Sequence, residues 1–207
     1  MAAAALLPLL LAAALGPSPV AAQNVFLDVN GDGRCGVEDV LHAGVRSVDV
    51  WFETDRDAGG SPARCGIDPD HALTMHSYEF ILRAWGKGSV VYGAWIPGPA
   101  VAGFQVDLGT KSEGTDCHVA FGAMRGLEPG RHRVGTLELT ITGHPRLSFV
   151  TSSPIVVESL TAFGSECPGS DYDSTIKLGR DFIDGCGTSP AEAPIATSWR
   201  TIRSLYR

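Results

Sequence analysis

Short segments in which apolar and polar residues alternate, set apart by clusters of glycine and proline, constrain this chain more than any other feature. Ser47–Glu53 reads SVDVWFE, and an alternation of period two sends one set of side chains inward and the other outward, as a half-buried strand does. The same character recurs over Ser77–Ala84, Ser89–Trp95, Val101–Leu108, Cys117–Met124, Arg133–Thr142, Leu147–Val150, Ile155–Glu158 and Leu160–Phe163. Between them lie Gly86-Lys87-Gly88, Pro97-Gly98-Pro99, Glu128-Pro129-Gly130, Gly143-His144-Pro145 and Ser152-Ser153-Pro154, all turn chemistry. No long stretch of the middle sustains a helical period. The expected fold is therefore mostly β, an antiparallel β-sandwich, and a parallel α/β enzyme fold is not expected. With 25 Gly and 13 Pro among 207 residues, the composition suits a loop-rich β protein better than a helical bundle.

Residues 1–22 carry no charged side chain. They run through alanine and leucine to Gly16-Pro17-Ser18-Pro19, with Val20 and Ala22 at the spacing of a signal-peptidase site, which predicts a cleaved secretory signal. The apolar run falls short of the roughly 20 residues a membrane span needs, so no span is expected after cleavage, and the protein is expected outside the cytoplasm, secreted or in the cell envelope. A net charge of −7 with 16 Lys+Arg provides no basic stripe for nucleic acid. Five cysteines, Cys35, Cys65, Cys117, Cys167 and Cys186, form no CxxC pair, and in an oxidising compartment they are expected to make disulfides rather than metal thiolates. Sequence order suggests Cys35–Cys65 and Cys167–Cys186 with Cys117 left over, and other pairings remain open.

The most specific motif is Asp28-Val29-Asn30-Gly31-Asp32-Gly33-Arg34-Cys35-Gly36-Val37-Glu38-Asp39. Calcium takes six to eight hard oxygen ligands from a tightly curled backbone. Asp28, Asn30 and Asp32 at alternating positions supply side-chain oxygens, Gly33 the sharp turn, Arg34 a carbonyl, Gly36 a water-mediated contact, and Asp39 the closing carboxylate. Val37–Ala43 is expected to form two helical turns stopped by Gly44. A solvated acidic turn is the alternative for this loop.

DVNGDGRCGVEDVL resembles the calcium loop of a dockerin repeat, which ends in Asp where an EF-hand loop ends in Glu. The chain departs from that family in holding one clear copy, in Cys35 at a position usually branched and apolar, and in Gly44 soon after the loop. The strand sequence SYEFILRA, VAGFQVDL and VGTLELTIT is similar to the Ig-like sandwich of cohesins and related secreted modules. Together these similarities place the chain among secreted bacterial proteins with a dockerin-like loop and a cohesin-like sandwich. They imply bound Ca2+ and a structural or binding role toward an extracellular protein or glycan. The expected layout is a signal at 1–22, the loop and short helix at 23–45, the sandwich at 46–187, and a linker with a short amphipathic tail at 188–207.

Other clusters weigh less. Asp55 and Asp57 alternate after Glu53, but Ala58 stands where a turn glycine is needed for a second ion. Six scattered histidines form no HExxH motif, and no nucleophile elbow or P-loop occurs, so an enzyme is not expected. Trp85 and Trp95 on predicted strands are candidates for a sugar-stacking platform, which keeps a carbohydrate-binding or carbohydrate-degrading accessory protein as the alternative function. Core packing is the other use for these rings. Trp199, Ile202 and Leu205 fall on one helical face of the tail, suited to docking on its own domain or to recognition by a partner.

Overall fold

The computed structural model describes residues 24–34, 36, 38–56, 62, 64–65, 68, 70–150, 152–156, 161–165 and 174–177. The signal segment, Cys35, Val37, Asp57, Cys167, Cys186 and the C-terminal tail lie outside the described residues. The strands are β1 (Asn24–Asp28), β2 (Ser47–Glu53), β3 (Met75–Pro97), β4 (Val106–Asp107), β5 (Lys111–Glu113), β6 (Asp116–Leu127), β7 (Arg131–Val150), β8 (Ala162–Ser165) and β9 (Ser174–Lys177). All pairings between them are antiparallel, in the order β1-β2-β7-β3-β6-β4, with β5 on β6 and β8 joining β3 to β9. The fold is mostly antiparallel β and sandwich-like, as the alternation predicts.

Two long strands carry the architecture. The first half of β3 pairs with β6 on one side and β8 on the other, whereas its later half pairs with β7 alone. The first half of β7 pairs in turn with β2, and β2 with β1. One layer therefore holds β1, β2 and the near halves of the β3–β7 ribbon, and the second holds its far halves with β6 and the short strands. Between the layers lie Val25, Leu27, Val48, Val50, Phe52, Tyr78, Phe80, Leu82, Val119, Val134, Leu137, Leu139, Leu147 and Phe149. Their sequence spacing of two is the signature read from the pattern.

The ribbon corrects one expectation. Gly86-Lys87-Gly88 and Gly143-His144-Pro145 do not end strands. They face one another in an unbroken ladder, Gly86 opposite Pro145, Lys87 opposite His144 and Gly88 opposite Gly143. Residues 85–89 and 142–144 are exposed where the ribbon bends from one layer to the other. A Cβ on Gly88 would meet the Thr142 carbonyl oxygen at 2.2 Å, and one on Gly143 would meet the Lys87 carbonyl oxygen at 2.8 Å. These glycines are bend points that let two strands curve together. The expected strand at 101–108 also breaks up, into a 3₁₀ turn at Pro99–Val101 and the two-residue β4. Pro99 presets the turn, and buried Val101 and Phe104 anchor it to the core.

Gly143, at φ +73°, tests the bend. Gly143→Ala should lower stability by about 1–3 kcal/mol, because it adds left-handed strain to a backbone clash. Gly103→Ala, where a Cβ meets nothing within 4 Å, should change it by less than about 0.5 kcal/mol. Urea denaturation of both variants measures the contrast.

Candidate metal centre

The acidic loop leaves directly from β1. Asp28 ends that strand, and its side chain turns into the loop: Oδ1 accepts the Gly31 N–H at 2.6 Å and Oδ2 the Gly33 N–H at 2.7 Å. Asn30 Oδ1 accepts from Asp32 N–H at 2.9 Å, and Asp32 Oδ1 from Arg34 N–H at 2.8 Å. Asp39 closes the loop from the far side. Its Oδ1 accepts from Val29 at 2.8 Å and Asn30 at 3.3 Å, and its Oδ2 from Gly36 at 2.9 Å. Gly31 and Gly33, at φ +79° and +70°, supply the left-handed backbone that this curl requires.

Asp28 is 1% exposed and Asp39 is fully buried. Neither takes part in an ion pair among the described residues. Backbone N–H dipoles satisfy part of each carboxylate's hydrogen-bonding capacity, but they leave two negative charges inside one loop. Burying a carboxylate without a counter-charge costs several kcal/mol, so the arrangement suits a cation. Asp32 remains exposed, and no three His, Cys, Asp or Glu side chains gather as a metal cluster among the described residues. The loop's candidate donors are thus two buried carboxylates, Asp32, the Asn30 amide and backbone carbonyls including that of Arg34. An all-oxygen set of this kind fits calcium and not zinc.

The helix expected over Val37–Ala43 does not form among its described residues. Residues 38–46 follow turns, with Val40 N–H donating to Glu38 O and Val45 N–H to His42 O. So short a segment cannot sustain helix by its own hydrogen bonds. Its course is set instead by Asp39 in the loop and by Leu41 and Val45, which plug into the core.

Beneath the loop lies a seat that the sequence did not reveal. Val25 and Leu27 face the core, which sends Phe26 to the opposite side of β1, yet Phe26 is only 1% exposed. It stacks on its cross-strand partner Trp51, ring centroids 6.1 Å apart and planes parallel. The Arg131 guanidinium lies 4.8 Å from the Phe26 centroid and 5.4 Å from that of Trp51, and it donates to the Gly33 carbonyl. A Cβ on Gly33 would stand 3.2 Å from Trp51 Cζ2, so the loop's tightest turn rests on the indole. Arg131 lies far along the chain from the loop, and only the β2–β7 pairing brings it near.

The other candidates separate. Trp95 is half-buried against the core, its ring 5.3 Å from that of Phe80 and folded over Gly135, so it does not form a surface platform with Trp85. Trp85 is 36% exposed, with the Arg146 guanidinium 4.9 Å over its ring. Asp55 lies beside Arg56 at 3.9 Å. Cys65 is buried and disulfide-bonded. Cys117 is a buried free thiol, pushed up to about 12 by burial. It should resist thiol reagents at pH 8 in the native protein and react once the chain is unfolded, as a titration with and without denaturant measures.

A second polar cluster sits on the β3–β6 face. Arg83 donates to both Asp116 oxygens, at 2.7 and 2.6 Å, and Ser153 Oγ donates to Asp116 Oδ2 at 2.5 Å. Nearby, His118 Nε2 and Glu79 Oε1 are 2.9 Å apart. The hydrogen bond from Arg83 holds the Asp116 carboxyl down at about 2, against the opposing effect of burial. Its stabilisation is present above the unfolded-state value near 4 and is lost as pH falls from there toward 2. Asp116→Asn should therefore cost about 2 kcal/mol at pH 7, a difference that shrinks through this window, as denaturation across pH measures.

The fold and loop define a class, a mostly antiparallel sandwich-like β protein carrying an acidic twelve-residue loop against one outer face. No protein-family model matches the chain, and no curated protein shows significant similarity to it.

Proposed function

We propose that this protein is a secreted, calcium-stabilised β-sandwich module with a structural or binding role outside the cytoplasm. The observation that carries the reading is the burial of Asp28 and Asp39 in one loop without a positive side chain on either among the described residues. The secretory signal pattern at residues 1–22 supports it, because extracellular modules bind calcium at about 10⁻⁴–10⁻³ M, where the ion is available. Calcium there is held by Asp28, Asn30, Asp32, the Arg34 carbonyl and Asp39. It supplies positive charge and no reaction, so its role is to fix the loop.

Calcium at 100 times its dissociation constant, bound only to the native state, adds about 2.7 kcal/mol, which should raise Tm by roughly 5–10 °C for a domain of this size. Calorimetry and thermal melting of the purified protein test this beside Asp28→Asn/Asp39→Asn. The double variant should lose calcium binding, so that its Tm no longer rises when calcium is added. A wild type indifferent to calcium, with a variant less stable in every buffer, would identify an acidic turn that binds no ion.

A further inference from the structure

The loop does more than enclose an ion. Phe26 stands outside the main core, and what hides it is Trp51, the Arg131 guanidinium and the loop turn at Gly33 resting on that indole. Arg131 joins the two layers of this contact, lying over both rings while donating to the Gly33 carbonyl. The closure is not tight in every part: Trp51 Nε1 is buried there without a hydrogen-bond acceptor, and Arg131 itself is exposed. A buried donor without an acceptor is destabilising, and that cost is relieved when the contact opens. On the other side of the same turn, Asp28 Oδ2 holds the Gly33 N–H. One residue thus connects the acidic loop, through its N–H, to the aromatic seat, through its carbonyl.

We propose that Arg131, Trp51 and Phe26 form a clasp that couples calcium occupancy of the loop to exposure of an aromatic surface on the outer face of β1 and β2. This inference rests on the calcium reading above. With the ion present, Asp28 and Asp39 are held together, Gly33 is seated on Trp51, and Arg131 locks its carbonyl. Without the ion, repulsion between the two buried carboxylates loosens the turn, Gly33 leaves the indole, and Phe26 and Trp51 meet water. Closure and binding are linked, so whatever weakens the seat must weaken calcium affinity by the same factor.

The test uses the purified full chain, calcium chloride as the probe, and calorimetry alongside tryptophan emission. Chelation should red-shift the emission and increase acrylamide quenching, and Trp51→Phe should abolish that change while calcium still binds by calorimetry. Arg131→Lys keeps the charge but loses the planar fork that spans ring and carbonyl. It should weaken calcium binding by about tenfold, the equivalent of one charge-assisted hydrogen bond, and leave Tm in chelator unchanged. A purely structural arginine would instead lower Tm equally with and without calcium and leave affinity alone, which overturns the clasp. Calcium binding with emission from Trp51 unchanged overturns it as well, while the calcium reading stands. Absence of binding by calorimetry removes both.

Discussion

The antiparallel ladder between β3 and β7 is the interaction on which the other strands depend. β3 supplies the partner for β6 and β8, β7 supplies the partner for β2, and β2 for β1. A ribbon that serves two layers must bend, and a regular ladder of residues with Cβ atoms resists bending. Gly88 and Gly143 resolve the conflict, since at each the opposing backbone lies where a Cβ would sit. The bend turns one continuous pairing into a two-sided container for Phe52, Tyr78, Phe80 and Phe149, whose rings pack around one another at stacked, tilted and edge-on angles.

The acidic loop inherits its position from that container. Among the described residues β1 pairs with β2 alone, so Asp28 is placed at the margin of the sheet, where the chain can turn back over the outer face. The burial of Phe26 and the placement of Arg131 at the start of β7 then give the loop a surface to lie on. This arrangement lets a short loop bury two carboxylates without a helix on either side. Segment 38–46 contributes Leu41 and Val45 to the core as anchors, in place of the hydrogen bonds a helix would have made.

The polar groups of the opposite layer follow a different logic. Asp116 and Arg83 form a charge-matched pair, and the pair holds the segment around Ser153 against β3 and β6. Asp28 and Asp39 are buried to a similar degree with no such match among the described residues. The contrast between two kinds of buried carboxylate, one neutralised within the chain and one not, separates the structural ion pair from the candidate metal centre.

Strand character and the acidic loop were legible because each depends on residues close together in the chain. Alternation over Ser47–Glu53 matches β2 residue for residue, since a strand with one buried face needs that period whatever it pairs with. The asparagine and aspartates of the loop were found by spacing alone. Three features were misread because local chemistry admits two outcomes: glycine pairs that serve equally in turns and in bends, a segment after Asp39 whose helical pattern was too short to hold itself, and an apolar stretch at 101–108 that forms a 3₁₀ turn and a two-residue strand. Tryptophan is ambiguous in the same way, and only packing sent Trp95 to the core and left Trp85 at the surface. Local residue spacing is enough to specify the mostly β class and to single out the candidate ligands of the loop. Tertiary structure alone decided that β3 and β7 run unbroken across both layers, that Asp28 and Asp39 are buried together, and that Arg131 rests over Phe26 and Trp51. Those outcomes depend on partners distant in the chain, which no local pattern of residues encodes.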